Sequence, residues 1–459
     1  MMSGDARRFF AISALSALIF AAGLAVPEPA VAQDAFPGAE GYGRAATGGR
    51  GGRVIWVDNL KDRGAGSLRA CIEATGARNC LFRISGTIVL KNAIWVDGRT
   101  RGKLSILGQT APGGGIAITV EPNTTSDRRT PIAVRNTRDV VIRHIRLRPR
   151  FAETVPNVDA LTVEGSGRVY VDHVSGSWAT DENFNAYSQT TELTVAYSVF
   201  GEGLRKHSKC TLLGADPTGP QSISFWRNVC VSNNDRNPDN NHYAGSCVDI
   251  VDNVFYNAGS EWGEIFTQQP GGTPISFVGN TFKAGPSTIM HTYAINWNDT
   301  ASIAPPKIFA DVNAVWAPGS KTVTLVAPDT VSHIIAAPPC PLSVTSLRDP
   351  SAAYREVLAR AGAFPRDAVD TRLTTEVGPL GSAGGGSIKA QPGTLPPLAA
   401  GRAYVDADGD GMADSAEARF GAVAGRADAW ADGDSNGWSN FDDFMEWLSR
   451  ERIAGRYPN

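Results

Sequence analysis

The sequence predicts an all-β fold, a right-handed parallel β-helix, followed by a short C-terminal EF-hand-like calcium-loop module. Three observations carry that prediction. A short apolar strand with one polar residue at a fixed place recurs: Ile142-Arg143-His144-Ile145, Val171-Asp172-His173-Val174, Ala196-Tyr197-Ser198-Val199, Trp226-Arg227-Asn228-Val229, Val251-Asp252-Asn253-Val254 and Val278-Gly279-Asn280-Thr281. The polar place falls at 144, 173, 198, 228, 253 and 280, with spacings of 29, 25, 30, 25 and 27 residues, a repeat of solenoid length. The units are rich in β-branched residues with Gly, Asn and Ser between them, and long helical periodicity is missing. Gly is 49 of 459 residues, about 11% against a usual ~7%. One coil per repeat, stacked at the ~4.8 Å strand spacing, accounts for all three. Inward Asn, Ser and His side chains then bond coil to coil. A propeller blade needs ~40–45 residues in its commonest form, and hairpin signals are sparse.

The chain opens on an export signal. Arg7 and Arg8 precede an apolar run over residues 9–26, and Ala30-Val31-Ala32 matches a small-x-small cleavage site. Residues 1–32 therefore read as a signal peptide, with Gln33 as the mature start. The expected location is secreted or periplasmic, with no membrane attachment after cleavage. Residues 33–377 form the solenoid. Near their end, residues 351–362 put Tyr354, Val357, Leu358 and Ala361 on one side of an amphipathic helix packed outside the coils. Residues 378–404, rich in Gly, Pro, Ser and Ala, read as a linker. Residues 405–459 form a small acidic module.

Six cysteines follow the signal: Cys71, Cys80, Cys210, Cys230, Cys247 and Cys340. An even count in an exported chain allows disulfides in fifteen connectivities. Cys71 and Cys80 enclose a short loop and are the first pair to expect. Without a CxxC pair, a zinc ribbon is unsupported. The balance of 43 Lys+Arg against 46 Asp+Glu, net −3, offers no electrostatic basis for nucleic-acid binding. The glycine-rich opening lacks both phosphate-loop patterns, and no helix signal follows it.

In the acidic module, Asp406-Ala407-Asp408-Gly409-Asp410-Gly411-Met412-Ala413-Asp414-Ser415-Ala416-Glu417 meets the EF-hand loop pattern at every key position. Ca²⁺ ligands would be Asp406, Asp408, Asp410, the Met412 carbonyl, Asp414 through water and a bidentate Glu417. Gly411 supplies the sharp turn. A second loop 26 residues on offers Asp432, Asp434, Asn436, Trp438, Asn440 and Asp443. Its shorter last carboxylate and fewer charges predict weaker binding. No clear helix precedes Asp406, so the pair looks like dockerin or thrombospondin type 3 loops. Phe441, Phe444, Met445 and Leu448 form an apolar stripe after them. A dockerin role would imply a scaffold partner; a calcium-stabilised cap is the plainer reading and the preferred one.

Phe36-Pro37-Gly38-Ala39-Glu40-Gly41-Tyr42-Gly43, then Thr47-Gly48-Gly49-Arg50-Gly51-Gly52, resembles the opening of secreted pectate lyase-like proteins. Gly66-Ser67-Leu68-Arg69-Ala70-Cys71, Phe82-Arg83-Ile84-Ser85-Gly86-Thr87-Ile88 and Val169-Tyr170-Val171-Asp172-His173 fit the same family in the same order. The resemblance spans about residues 36–375. It implies a parallel β-helix and calcium-dependent β-elimination of polygalacturonate.

Asp159, Asn185, Lys209 and Arg236 are separated by 26, 24 and 27 residues, each about one coil, so they are expected to stack on one face. The resemblance implies calcium ligands at Asp159, Asp181 and Asn185. Asn185 stands where the family has a second Asp; it keeps an oxygen ligand and removes a charge, and Glu182 is the neighbouring carboxylate. Lys209 resembles the family's substrate-binding lysine and Arg236 its catalytic arginine. A base role for Arg236 conflicts with its high pKa, which nearby Ca²⁺ and Lys209 would lower. The family's second arginine is missing, because position 241 is Asn241. Arg205, Lys206 or Arg227 is left to supply that charge. Arg146, Arg148 and Arg150 share a strand face and read equally well as a groove lining, with Arg148 binding substrate, or as a solvated face. Asp172-His173 and His144 read as structural.

These features point to a monomeric, exported lyase acting on acidic plant cell-wall galacturonan with Ca²⁺. The competing reading is an inactive β-helix that binds acidic polysaccharide, kept open by Asn185 and Asn241. A hydrolase on the same fold would need paired acids, and the only adjacent Asp pair, Asp442-Asp443, lies in the C-terminal acidic module.

Overall fold

The computed structural model describes residues 33–124 and 129–458. The signal peptide expected over residues 1–32 lies outside them. Successive strands pass from a ten-stranded sheet to a nine-stranded second sheet and a nine-stranded third, then return to the first one coil further on. Neighbouring strands pair in parallel in all three sheets. The three inner faces share one core, from Val57 and Leu68 to Ile295 and Ile308. The parallel β-helix expectation is met.

The corner between sheets one and two explains the sequence repeat. Ser198 N–H donates to Asn228 Oδ1, Asn228 N–H to Asn253 Oδ1, Asn253 N–H to Asn280 Oδ1 and Asn280 N–H to Asn313 Oδ1, at 2.8–3.0 Å. The buried amides thus satisfy the backbone where the strands bend. His144 and His173 do not belong to this ladder. Val174 N–H, not His173 N–H, donates to Ser198 Oγ. The histidines sit one residue earlier, at left-handed φ of 54° and 53°, with Tyr197, Arg227 and Asp252 in equivalent positions. Their rings stack, His144 on His173 at 4.7 Å and His173 on Tyr197 at 5.1 Å.

Helix α1 (Leu68–Glu73), capped by Ser67, closes the N-terminal end, and the Cys71–Cys80 disulfide fastens it as expected. The other pairs are Cys210–Cys230 and Cys247–Cys340. Helix α2 (Pro350–Arg360) starts at an Asp349 cap with proline in its first turn and matches the expected amphipathic helix. Helix α3 (Ala368–Val377) was not anticipated. Tyr354 and Val357 of α2 and Leu373 and Val377 of α3 pack on Trp178, Val199, Val229 and Val254 of the second sheet side.

This layer corrects the reading of the arginine strand. Arg146 and Arg148 are buried, not groove-lining. Arg146 Nε lies 3.2 Å and Arg148 Nη2 2.6 Å from the Asp370 carboxylate of α3, and Arg148 also donates to Ser177 Oγ at 2.7 Å. Arg148 is therefore unavailable to substrate. Arg227 is likewise taken, by Asp252 and Glu356.

Residues 378–404 lack regular secondary structure but are packed along the coils rather than free. Arg205 N–H donates to Lys389 O at 2.6 Å and Gly114 N–H to Ala399 O at 2.8 Å. Buried Lys283 Nζ donates to Val377 O and Pro379 O at the end of α3. The acidic module ends in helix α4 (Asn440–Ile453). Phe441, Phe444, Met445 and Leu448 are buried with Leu81 and Leu107 of the first sheet. Each such side chain contributes roughly 1.5–3 kcal/mol. The apolar stripe after loop two is thus spent inside the molecule.

Candidate active site

The site lies where loops from sheet two enter the third sheet. Asp159 precedes strand Leu161–Glu164, Asp181 precedes Glu182–Tyr187, and Lys209 begins Lys209–Leu212. Strand register overturns the expected single column. Glu182 pairs with Lys209 and Lys209 with Asp235, while Thr162 pairs with Asn185, Asn185 with Leu212, Leu212 with Asp239 and Asp239 with Glu264. The loops between sheets differ in length, so a one-coil spacing in sequence is not the same register in space.

The side chains nevertheless converge. Asn185 Nδ2 donates to Asp159 Oδ2 at 3.0 Å, Thr162 Oγ1 to the same oxygen at 2.5 Å and Glu182 N–H to Asp159 Oδ1 at 3.2 Å. His207 Nε2 lies 3.0 Å from Asp181 Oδ1. Arg236 bonds Glu182 and lies 3.2 Å from Asp239 Oδ2, and Lys209 pairs with Asp235. A cavity of about 560 Å³ is lined by Asp159, Asp181 and Asn185 together with Arg129, Arg135 and Trp95. Arg205 stands apart, against Glu153 at 3.3 Å. Asn241, at the missing arginine position, shares an amide pair with Gln268.

Four acidic groups here, Asp159, Glu182, Asp239 and Glu264, are hard to ionise. Burial, and then the Asp181 charge, push Asp159 up to about 6. Burial and both neighbouring aspartates raise Glu182. Burial lifts Asp239 to about 7 against the pull of Arg236 and Lys209. Burial, helped by a hydrogen bond with Glu261, lifts Glu264 to about 10. For Asp181, burial raises the carboxyl, but the His207 bond and charge outweigh it and leave it below its usual value. Burial lowers Arg236, yet Glu182 and Asp239 outweigh it and hold the guanidinium above its ordinary range. Asp235, Asp239, Glu264, His207, Arg129 and Arg135 escaped the sequence reading. Strand register places Asp235, Asp239 and Glu264, and loop length hides register.

The donors suit a hard cation. Asp159, Asp181, Glu182 and Asn185 offer oxygens, and buried Asn185 Oδ1 has no hydrogen-bond partner among the described residues. The buried trio His144, Asp172 and His173 does not suit a metal: the two rings are stacked 9° from parallel, so their lone pairs do not converge.

The two C-terminal loops share one backbone design. Gly411 N–H donates to Asp406 at 3.3 Å, as Gly437 N–H does to Asp432 at 3.0 Å. Met412 N–H donates to Asp410 at 3.0 Å, as Trp438 N–H does to Asn436 at 2.8 Å. Asp410 N–H donates to Asp408, as Asn436 N–H does to Asp434. Ala407 N–H donates to Asp414 and Gly433 N–H to Asn440, both at 2.9 Å. The second loop departs in its centre, where Asn436 Nδ2 donates to Asp443 at 2.8 Å and Asp434 at 3.1 Å. The amide there ties the two carboxylates to one another, a contact that loop one lacks.

Fold and site together define a class: a parallel β-helix with a cleft of paired carboxylates and cations at one sheet. No family profile matches the chain. A probable pectate lyase C of Aspergillus flavus is 33% identical over 452 residues, covering 97% of this chain and 98% of that protein. A probable pectate lyase C of Aspergillus fumigatus is 34% identical over 413 residues, covering 89% and 92%. Among solved structures, jun a 1, the major allergen from cedar pollen, overlays with a TM-score of 0.53 at 17% identity, over 71% of this chain and 92% of that one. That last likeness is one of fold. The chain belongs to the pectate lyase family and is a polysaccharide lyase.

Proposed function

We propose that the chain cleaves polygalacturonate-type pectate by cation-assisted β-elimination, giving 4,5-unsaturated oligogalacturonides. The observation that carries this is the unpartnered Asn185 oxygen, set among the Asp159, Asp181 and Glu182 carboxylates beside Lys209 and Arg236. Those four residues would hold Ca²⁺, which supplies charge to withdraw electrons from the substrate carboxylate and acidify C5–H. Lys209 offers a point charge to a uronate carboxylate. Arg236 is the assigned base: the C5 proton passes to it, the C4–O bond breaks, a C4=C5 bond forms and the leaving oxygen takes a proton from water. That role needs a neutral Arg236, which Glu182 and Asp239 oppose, so the assignment requires Glu182 to release it when substrate binds. Arg129, which also lines the cavity, is left to supply the charge missing at Asn241, since Arg135 is held by Glu164 at 2.8 Å.

Export is part of the proposal. The N-terminal signal pattern and three disulfides suit an oxidising compartment, and among the described residues no helix is long and apolar enough to cross a membrane. The firm pairing of Arg236 favours one competing reading, an inactive binder of acidic polysaccharide. Ultraviolet absorbance of an unsaturated uronate separates the two. With polygalacturonate in alkaline buffer, a rise that needs Ca²⁺ and stops with chelator is expected. Substrate binding with no rise leaves the inactive binder.

A further inference from the structure

We propose that residues 406–417 bind a hard divalent cation of calcium size, and that this cation fastens the C-terminal segment onto the N-terminal coils. The site is separate from the cleft and does not depend on how the cleft works.

The acidic cluster alone would not carry this. The second observation is Glu417, which has no surface exposed to solvent and, among the described residues, no hydrogen-bond partner at either carboxylate oxygen. A buried carboxylate without partners is costly unless it meets a cation. Asp408 Oδ2 is also buried and unpartnered. Ligand oxygens from Asp406, Asp408 and Asp410 lie within 4.8 Å of one another. Oxygens bound at ~2.3–2.6 Å to one centre lie at most about 5.2 Å apart, so the spread fits. Backbone N–H groups reach both oxygens of Asp406 and of Asp410 but only Oδ1 of Asp408, which leaves Asp408 Oδ2 and the two Glu417 oxygens for metal. Loop two supplies the internal contrast, because the Asn436 amide already ties Asp434 to Asp443. The expected stoichiometry for this segment is therefore one cation.

The loop lies directly on the solenoid. Asp406 Oδ2 is 3.4 Å from Arg83 Nη2, and that guanidinium stacks 4.1 Å from the Trp56 ring. Tyr404 packs on Trp56 and donates its hydroxyl to Gly411 O at 2.7 Å. Gly411, at φ 98°, sits so close that a Cβ would come within 2.9–3.0 Å of Leu81, Phe441 and Val54. Asp410 Oδ2 accepts from Ala429 N–H at 2.9 Å, tying loop one to the approach of loop two. A cation that neutralises the carboxylates would hold this contact surface together.

The test uses the full chain stripped of metal. Calorimetric titration with Ca²⁺ and thermal unfolding are compared for the wild type, Glu417→Gln and the cleft variant Asp181→Ala. Glu417→Gln is expected to lose one bound Ca²⁺ and the calcium-dependent rise in Tm, while its lyase rate at saturating Ca²⁺ stays at the wild-type level. Limited proteolysis at residues 402–431 should follow chelator in the wild type and be independent of it in the variant. Should Glu417→Gln fold poorly, Asp408→Asn at the half-buried neighbour is expected to show the same losses. Unchanged stoichiometry and Tm increment in these loop variants would overturn the proposal. So would a Tm increment that vanishes only in Asp181→Ala.

Discussion

Arg236 lies between Glu182 and Asp239, and both favour its protonated form. Removing the Glu182 charge should ease deprotonation, so Glu182→Gln is expected to move the rise of rate with pH to lower pH by about one unit. Arg236→Ala should lower kcat by roughly 10²–10⁴ if it transfers the proton; full lyase activity in that variant would dismiss it as the base. His242 offers a separate pH test. It is buried, with Nδ1 2.7 Å from Gln221 Oε1, and burial pulls it down to about 3. The unfolded residue titrates near ~6.5, so between those values the unfolded chain binds the extra proton. Its contribution to stability is therefore complete above about pH 6.5 and falls by up to about 1.4 kcal/mol per pH unit on acidification toward 3. His242→Gln should flatten that acid slope in denaturant midpoints measured from pH 7 to 4; an unchanged slope would contradict it. At this scale the sequence displayed Asp159, Asp181, Asn185, Lys209 and Arg236 through motif order. The acids that tune them, Asp235, Asp239 and Glu264, carry no local signature.

Helix α3 shows what patterning along one strand cannot reveal. Arg146-Leu147-Arg148 alternates like a half-solvated strand, yet both arginines are buried because Asp367 and Asp370 arrive on a helix more than two hundred residues away. Asp370 itself touches both arginines and Ser175 Oγ at 2.9 Å. Asp370→Asn would leave two guanidinium groups short of one buried charge, so a loss of about 3–5 kcal/mol is expected. The effect should appear in urea unfolding rather than in lyase rate at low temperature, since α3 covers the second sheet and the cleft opens on the third. A variant as stable as wild type would show that solvent reaches these arginines. The C-terminal segment follows the same logic: its calcium pattern is local and readable, whereas the burial of Phe441, Phe444 and Leu448 against Leu81 and Leu107 depends on a fold-back that spacing does not encode.

Across the whole molecule, the repeat was readable because each coil must bend between sheets one and two, and Asn serves that bend from inside. Closure was not readable: after the last coil the chain returns along the first sheet before reaching α2. Two ties hold that return. Ser343 N–H and Oγ both donate to Asp249 Oδ2 at 2.7 Å, and Cys340 is bonded to Cys247 across 93 residues. Leu342 and Val344 then pack with Phe36, Tyr170 and Trp226, so the return segment also covers the N-terminal turns of residues 35–46. Cross-linking so long a loop limits the unfolded chain, a term of roughly 4–5 kcal/mol in the entropy account and commonly 2–5 kcal/mol in practice. Replacing both cysteines by serine should therefore lower unfolding stability by about 2–5 kcal/mol, while initial lyase rates at low temperature persist because the bond lies on the sheet-one side. Equal denaturation midpoints for the double variant and the wild type would mean that the hydrogen bonds and apolar contacts of the return segment suffice alone. A large loss together with new proteolytic cuts between residues 336 and 349 would show that the disulfide fastens the segment that closes the coil stack.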